Sequence, residues 1–475
     1  MKKLLLFLLL ILPTLPPAQS RSQLQSRPLV FTHVTIIDAT GAAAKPEMTV
    51  VLTGDRITEL GPAGKVRIPK DAQVIDAMGK FLIPGLWDMH VHALWNWRTD
   101  TFLPLFIANG VTGVRDMYGD LEILQRVRRQ IADGARIGPR IVTAGPIVDG
   151  PKPVWGGSIA VATEAEGRQA VDDVKKRGAD FVKVYSLLPR AAYFAIADEA
   201  KKQGIPFAGH VPSAVSAAEA SDAGQKSIEH LGGISMSCAT NEAELRKELA
   251  EAALKPDATV FTFIQIEARA RDFYSPEKAA NLFARFVRND TWQCPTLTVI
   301  RAPAFRDESS FTNDPRLKYI LPNEKQRWTS PRPQSSAQPA GNSGQKQRFA
   351  TALDLVKAMR QAGVGLLAGT DTPNPYCFPG FSLHDELALL VKAGLTPMEA
   401  LQAATRNPAK YLGQLDSLGT VERGKIADLV LLEANPLADI SNTQKINAVV
   451  VGGKLIPKSE IEGMLAKVEA AANRQ

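Results

Sequence analysis

The chain has 475 residues, 45% of them hydrophobic, enough for a large core and incompatible with global disorder. Its net charge of +7 is spread rather than clustered. Arg126 to Arg129 and Lys175-Lys-Arg177 read as solvated helix faces, which argues against a nucleic-acid partner.

In chain order, Met1-Lys-Lys3, the apolar run Leu4 to Leu12 and the small residues Ala18-Gln-Ser20 have the order of a secretory signal peptide over 1–20. The apolar run is too short to span a bilayer, so a secreted or periplasmic protein without a stable membrane anchor is expected. Residues 21–83 alternate in short runs, with Thr35 to Gly41, Val50 to Leu52 and Ile57 to Leu60 broken by Gly, Asp and Pro, as in a small β-rich module. The C-terminal part, 419–475, returns to that texture in Ala427 to Leu432, Ala448 to Val451 and Lys454 to Ile456, followed by a terminal helix.

Between them, over 84–418, strand and helix patterns alternate. The strand candidates are Leu82–His92, Val111–Met117, Arg140–Ile147, Phe181–Tyr185, Pro206–His210, Ser227–His230, Thr291–Val299 and Gly365–Thr370. A helix over Pro189–Gln203 carries its apolar residues at helical spacing. This alternation predicts an α/β fold, a TIM-like (β/α)8 barrel. Arg301 to Gln347 breaks the rhythm with a long polar insertion after the seventh strand, read equally as a lid or as a surface loop. Three cysteines give no disulfide framework. Cys238 and Cys294 suit one bridge or two buried thiols, and Cys377 shows no activating context.

The chemistry-bearing residues sit at strand ends. In Phe81-Leu-Ile-Pro-Gly-Leu-Trp-Asp-Met-His-Val-His92, residues i and i+2 of a strand share a face, so His90 and His92 can address one metal ion. Lys183 lies in the apolar strand Phe181-Val-Lys-Val-Tyr185, where an ordinary lysine does not belong. His210, His230 and Asp371 close the apolar runs Ile205 to His210, Ser227 to His230 and Val364 to Asp371.

The order H-x-H, Lys, His, His, Asp resembles the amidohydrolase superfamily in its binuclear form with a carboxylated lysine. Lys183-Val-Tyr185, Ser382-Leu-His-Asp-Glu386 and Gly424-Lys-Ile-Ala-Asp428 are similar to the branch containing imidazolonepropionase-like proteins and Xaa-Pro dipeptidases (prolidases). The resemblance implies a β-sandwich formed by the two terminal segments. It also implies two divalent ions, Zn²⁺ by the chemistry of imidazole and carboxylate ligands. His90, His92 and Asp371 would hold one ion and His210 and His230 the other. Lys183, carboxylated by CO₂, would bridge both.

Asp371 would also move the proton of a bridging hydroxide to the leaving nitrogen, and Tyr185 would polarise the scissile carbonyl. The expected function is hydrolysis of an amide in a dipeptide, Xaa-Pro included, or in an N-acyl amino acid. Alternatives are a cyclic amide, lactone or organophosphate ester on the same centre, or a non-catalytic binding protein. Trp95, Trp97 and Trp155 are candidates for an apolar substrate wall. Arg115 is a candidate for the substrate carboxylate, with pairing to Asp116 the favoured alternative. His384 and His33 read as structural. The expected partner is a small molecule, and self-association is compatible with the sequence.

Overall fold

The computed structural model describes residues 27–93, 99–253, 260–329 and 342–474. The leader region and both Trp95 and Trp97 lie outside the described residues. The fold is mixed α/β. The two terminal segments meet in one eight-stranded sheet, in the order Lys454–Pro457, Ile446–Val451, Leu429–Leu432, Phe81–Pro84, Leu29–Ile36, Lys45–Thr53 and Arg56–Pro62, with Gln73–Asp76 pairing to Leu29–Ile36. The N-terminal strand Phe81–Pro84 lies antiparallel to the C-terminal strand Leu429–Leu432, with Ile83 opposite Val430. Phe31, Val50, Leu82, Leu429 and Val450 fill the core of this layer.

Parallel strands carry the site. Leu86–Val91 pairs with Val111–Asp116, and that strand pairs with Arg140–Thr143. Ile147–Asp149, Val182–Val184, Phe207–Gly209, Ser227–Glu229 and Trp292–Cys294 pair in succession. Asp180 N donates to Thr143 O at 2.8 Å, joining the two groups. At the far side, parallel bridges link Gln293 to Leu366 and Val91 to Thr372.

Four expected strands differ in detail. Leu82–His92 divides at Gly85, with Phe81–Pro84 in the terminal sheet and Leu86–Val91 among the parallel strands. Arg140–Ile147 splits around Gly145, which has φ 68°. The seventh strand stops at Cys294, because Thr296 is in the left-handed region (φ 50°) and a helix, Leu297–Phe305, begins immediately after it. The stretch Gly365–Thr370 runs beside its neighbours through isolated bridges instead of a regular ladder.

Helices fill the connections for local reasons. Glu164–Lys176 starts with a capping box in which Thr163 and Glu166 exchange side-chain and backbone bonds. Arg190–Gln203 stops at Gly204, whose φ of 65° a side chain would strain. The region 301–347, expected as a polar loop, is partly helical, with Ser309–Thr312 and Pro322–Thr329 among its helices. Trp328 is buried there against Tyr376 and Phe378. The proline-rich centre of that insertion lies outside the described residues.

Candidate metal centre

His90, His92, Lys183, Tyr185, His210, His230 and Asp371 all line one cavity of about 570 Å³. The strand Leu86–Val91 delivers His90, and His92 follows directly. Asp371 is held against them because its N–H donates to His90 O at 2.8 Å while His92 N donates to Thr372 O at 2.9 Å. Asp88 braces the same turn, accepting from Thr370 Oγ1 at 2.6 Å. His230 (φ 59°), Thr296 (φ 50°) and Asp371 (φ 60°) all occupy the left-handed region that side chains disfavour. Strain of this kind concentrates where side chains must be aimed.

His90 and His230 are set for ligation by their far nitrogens. His90 Nδ1 donates to Glu229 Oε2 at 2.7 Å, leaving Nε2 as a lone pair 3.4 Å from Asp371 Oδ1. The Thr296 hydroxyl donates to Pro295 O, so its oxygen accepts from His230 Nδ1 at 2.7 Å and fixes that tautomer. His210 Nδ1 pairs with Ser186 Oγ at 2.8 Å, and His92 Nε2 lies 2.9 Å from Asp371 Oδ1. The rings are neighbours, with centroids 4.5 Å apart for His90 and His230 and 4.9 Å for His210 and His230.

The electrostatics favour neutral imidazoles at His90, His210 and His230 and an ionised carboxylate at Asp371. Burial, followed by the Lys183 charge, holds His90 and His210 well below the ordinary histidine range. Burial takes His230 down to about 4. For Asp371 burial acts upward, but His230, His90 and the His92 hydrogen bond outweigh it and hold the carboxyl well below the usual range. His90, His230 and Asp371 each offer a donor atom within 4.8 Å of the others. Buried imidazole nitrogens beside an ionised carboxylate fit a divalent ion such as Zn²⁺.

Lys183 is almost fully buried, at 1% exposure. No described residue forms an ion pair with it, and burial pulls its ammonium down to about 8 against the attraction of Glu229 and Asp371. Close packing surrounds it: a Cβ on Gly209, whose φ is 141°, would collide with Val184 O and stand 3.0 Å from Lys183 Cδ. Tyr185 stacks on His210 with centroids 3.9 Å apart, and its oxygen accepts from Trp155 Nε1 at 2.8 Å. Trp155 therefore sits at the cavity, half exposed, on the loop that Asp149 anchors by accepting from Val154 N and Leu187 N.

Arg115 is elsewhere. It is fully buried beneath the site, its Nη2 paired with Glu229 Oε1 at 2.8 Å and its other nitrogens donating to Met89 O, Ser227 Oγ and Tyr411 OH. It reaches neither a substrate nor Asp116, whose carboxylate accepts from Ala93 N at 2.7 Å. Its partner Glu229 went unnoticed in the sequence, although an acid at an inward position of an apolar strand was the available signal. His384 pairs with Thr443 at 2.9 Å in the core, and His33 with Glu47 in the terminal sheet. Cys238, Cys294 and Cys377 are all buried free thiols.

Known proteins resemble the chain in sequence and in fold. Ochratoxinase of Aspergillus niger is 41% identical over 100 residues, a stretch covering 20% of each chain. The match thus spans about a fifth of that relative's length. Among solved structures, a bottromycin amidohydrolase superposes with TM-score 0.70 at 25% identity, covering 93% of this chain and 90% of its own. A Xaa-Pro dipeptidase with methionine in its active site gives TM-score 0.66 at 21% identity, covering 90% and 100%, a likeness of fold. Residues 81–262 and 346–456 match the amidohydrolase family, and the chain belongs to that family.

Proposed function

We propose that the chain is a binuclear metal-dependent hydrolase that cuts the amide bond of a dipeptide or an N-acyl amino acid. The observation that carries this reading is the convergence of four imidazoles, Lys183 and Asp371 on one cavity. The circuit of parallel strands is then a (β/α)8 barrel over roughly 84–418, with 21–83 and 419–475 as its split β-module. The order of charged, apolar and small residues in Met1–Ser20 supports a secreted or periplasmic enzyme.

In this reading His90, His92, His210, His230, Asp371 and, as its carbamate, Lys183 would hold two zinc ions in this cavity. Two bound ions supply an activated water and a polarised carbonyl. The chain's own groups do the rest. A lysine drawn down to about 8 by burial reaches the neutral amine that reacts with CO₂ far more readily than an exposed one. Glu229 and Thr296 fix the tautomers of His90 and His230, so the ligand nitrogens keep their lone pairs. Asp371, ionised and within reach of three imidazoles, takes the proton of the attacking water and returns it to the departing nitrogen. Tyr185 donates its phenolic hydrogen to the carbonyl oxygen as that oxygen gains charge.

The test is a mass-spectrometric screen of zinc-loaded protein against pooled dipeptides and N-acyl amino acids, with Asp371→Asn as the blank. Cleavage by the native protein alone is the expected result. Silence across the pools with two metals bound per chain would overturn the reading.

A further inference from the structure

One arginine, Arg348, stands between the metal-site cavity and a smaller cleft beside it, and a second, Arg271, lines that cleft. Arg348, on the helix Asn342–Gln361, lines the metal-site cavity and also a neighbouring cleft of about 130 Å³ that it shares with Arg271 and Glu267. The two spaces join at His230 and Ile300, which face both. Arg271 Nε is taken by Ala268 O at 2.9 Å, but its Nη1 is buried with no hydrogen-bond partner among the described residues. Arg348, which remains reachable from solvent, has no ion pair or hydrogen bond with any described residue.

The local charge is unbalanced. Desolvation and repulsion from Arg271 pull the Arg348 guanidinium below its ordinary range, with Glu267 acting the other way. Glu267 is itself pushed up by burial to about 7, which makes it a weak counter-ion at neutral pH. Guanidinium groups present planar, fixed donors that match a carboxylate. An acidic ligand group in this cleft would lie beside the metal site and satisfy donors that the protein leaves open.

We propose that Arg348, backed by Arg271, binds the free α-carboxylate of the substrate's leaving amino acid. The inference rests on the amidase reading and names the residue that would recognise the free carboxylate that dipeptides and N-acyl amino acids share. Water is added across the C–N bond: the acyl carbon takes the hydroxyl, the nitrogen takes the proton, and the released amino acid keeps its carboxylate at Arg348. Neutral lactones and capped peptides lack the group this cleft holds.

The experiment compares zinc-loaded native protein with Arg348→Gln, Arg348→Lys and Arg271→Gln. Calorimetric binding of N-acetyl-L-phenylalanine and of its C-terminal amide is measured alongside turnover of the same two compounds. The native protein should prefer the free acid, and Arg348→Gln should weaken acid binding and raise its KM roughly 10- to 100-fold while changing the amide little. Arg348→Lys should recover part of the loss, which shows that an unfolded variant is not the cause. Equal binding of acid and amide by the native protein, or an Arg348→Gln variant that keeps the acid preference, would overturn the subsite. Acid-selective binding without turnover of any compound would keep the subsite and overturn the amidase reading instead.

Discussion

Trp155 donates its indole N–H to the Tyr185 phenolic oxygen over 2.8 Å. An indole nitrogen only donates, so the phenol keeps its own hydrogen for another acceptor. The bond therefore fixes the Tyr185 ring with its O–H available to a substrate carbonyl. Trp155→Phe should lower kcat about 3- to 10-fold, and Tyr185→Phe roughly 100-fold. The double variant should be no slower than Tyr185→Phe, since the two residues act as one unit. Steady-state kinetics of the three variants checks this, and a fully additive double variant would separate the residues.

Asp371 is assigned both proton transfer and metal ligation. Asp371→Asn should keep substrate binding within a few-fold while kcat falls about 10²- to 10⁴-fold. Metal analysis alongside kinetics separates the two roles, because a variant that still holds both ions can only have lost the proton carrier.

Lys183 makes no direct ion pair with any described residue, although Glu229 and Asp371 attract its charge. Lys183→Ala should reduce bound metal by about half, measured by elemental analysis, and abolish turnover with it. Unchanged metal content would mean that the lysine does not bridge.

Arg115 and Glu229 form a fully buried ion pair. Arg115→Met leaves the Glu229 charge without its guanidinium partner, held only by His90 and Ser227, and should cost about 3–5 kcal/mol of unfolding free energy. Denaturant titration reads this. The folded fraction should retain its KM, since Arg115 touches no substrate.

Glu219 gives a pH-dependent contribution far from the site. Hydrogen bonding to Arg190 holds its carboxyl down to about 2, below its ordinary value near 4.5, while it closes the capping box of the helix Ala217–Asp222. A lowered folded pKa contributes stability above the unfolded value and loses it as pH falls toward the folded one. Glu219→Gln should therefore cost about 1 kcal/mol at pH 7, after allowing for solvent screening. The difference from the native protein should shrink between about pH 4.5 and 2.

Much of the site was visible in the sequence because its residues end apolar strands, where side-chain alternation has a fixed period. His90 and His92 needed only their spacing, and Lys183 only its implausibility in Phe181 to Tyr185. Other features depended on contacts that no local pattern carries. Arg115 finds Glu229 across 114 positions of chain, and Arg348 meets Arg271 through the packing of two helical regions. Thr291 to Val299 read as one strand because its residues suit a strand, yet the left-handed Thr296 ends the strand and holds His230. Trp155 was placed at the cavity mouth by its loop, while its bond to Tyr185 emerged only in three dimensions.

The strand Phe81–Pro84, which runs directly into the His90 segment, has its antiparallel partner in Leu429–Leu432. During synthesis the first histidines leave the ribosome hundreds of residues before the strand that aligns their approach. The early imidazoles must then wait, without a fixed geometry, for the end of the chain. On the proposed reading, metal loading would then be a late event of synthesis, and a chain truncated before Leu429 would carry every candidate ligand without assembling them into a working centre.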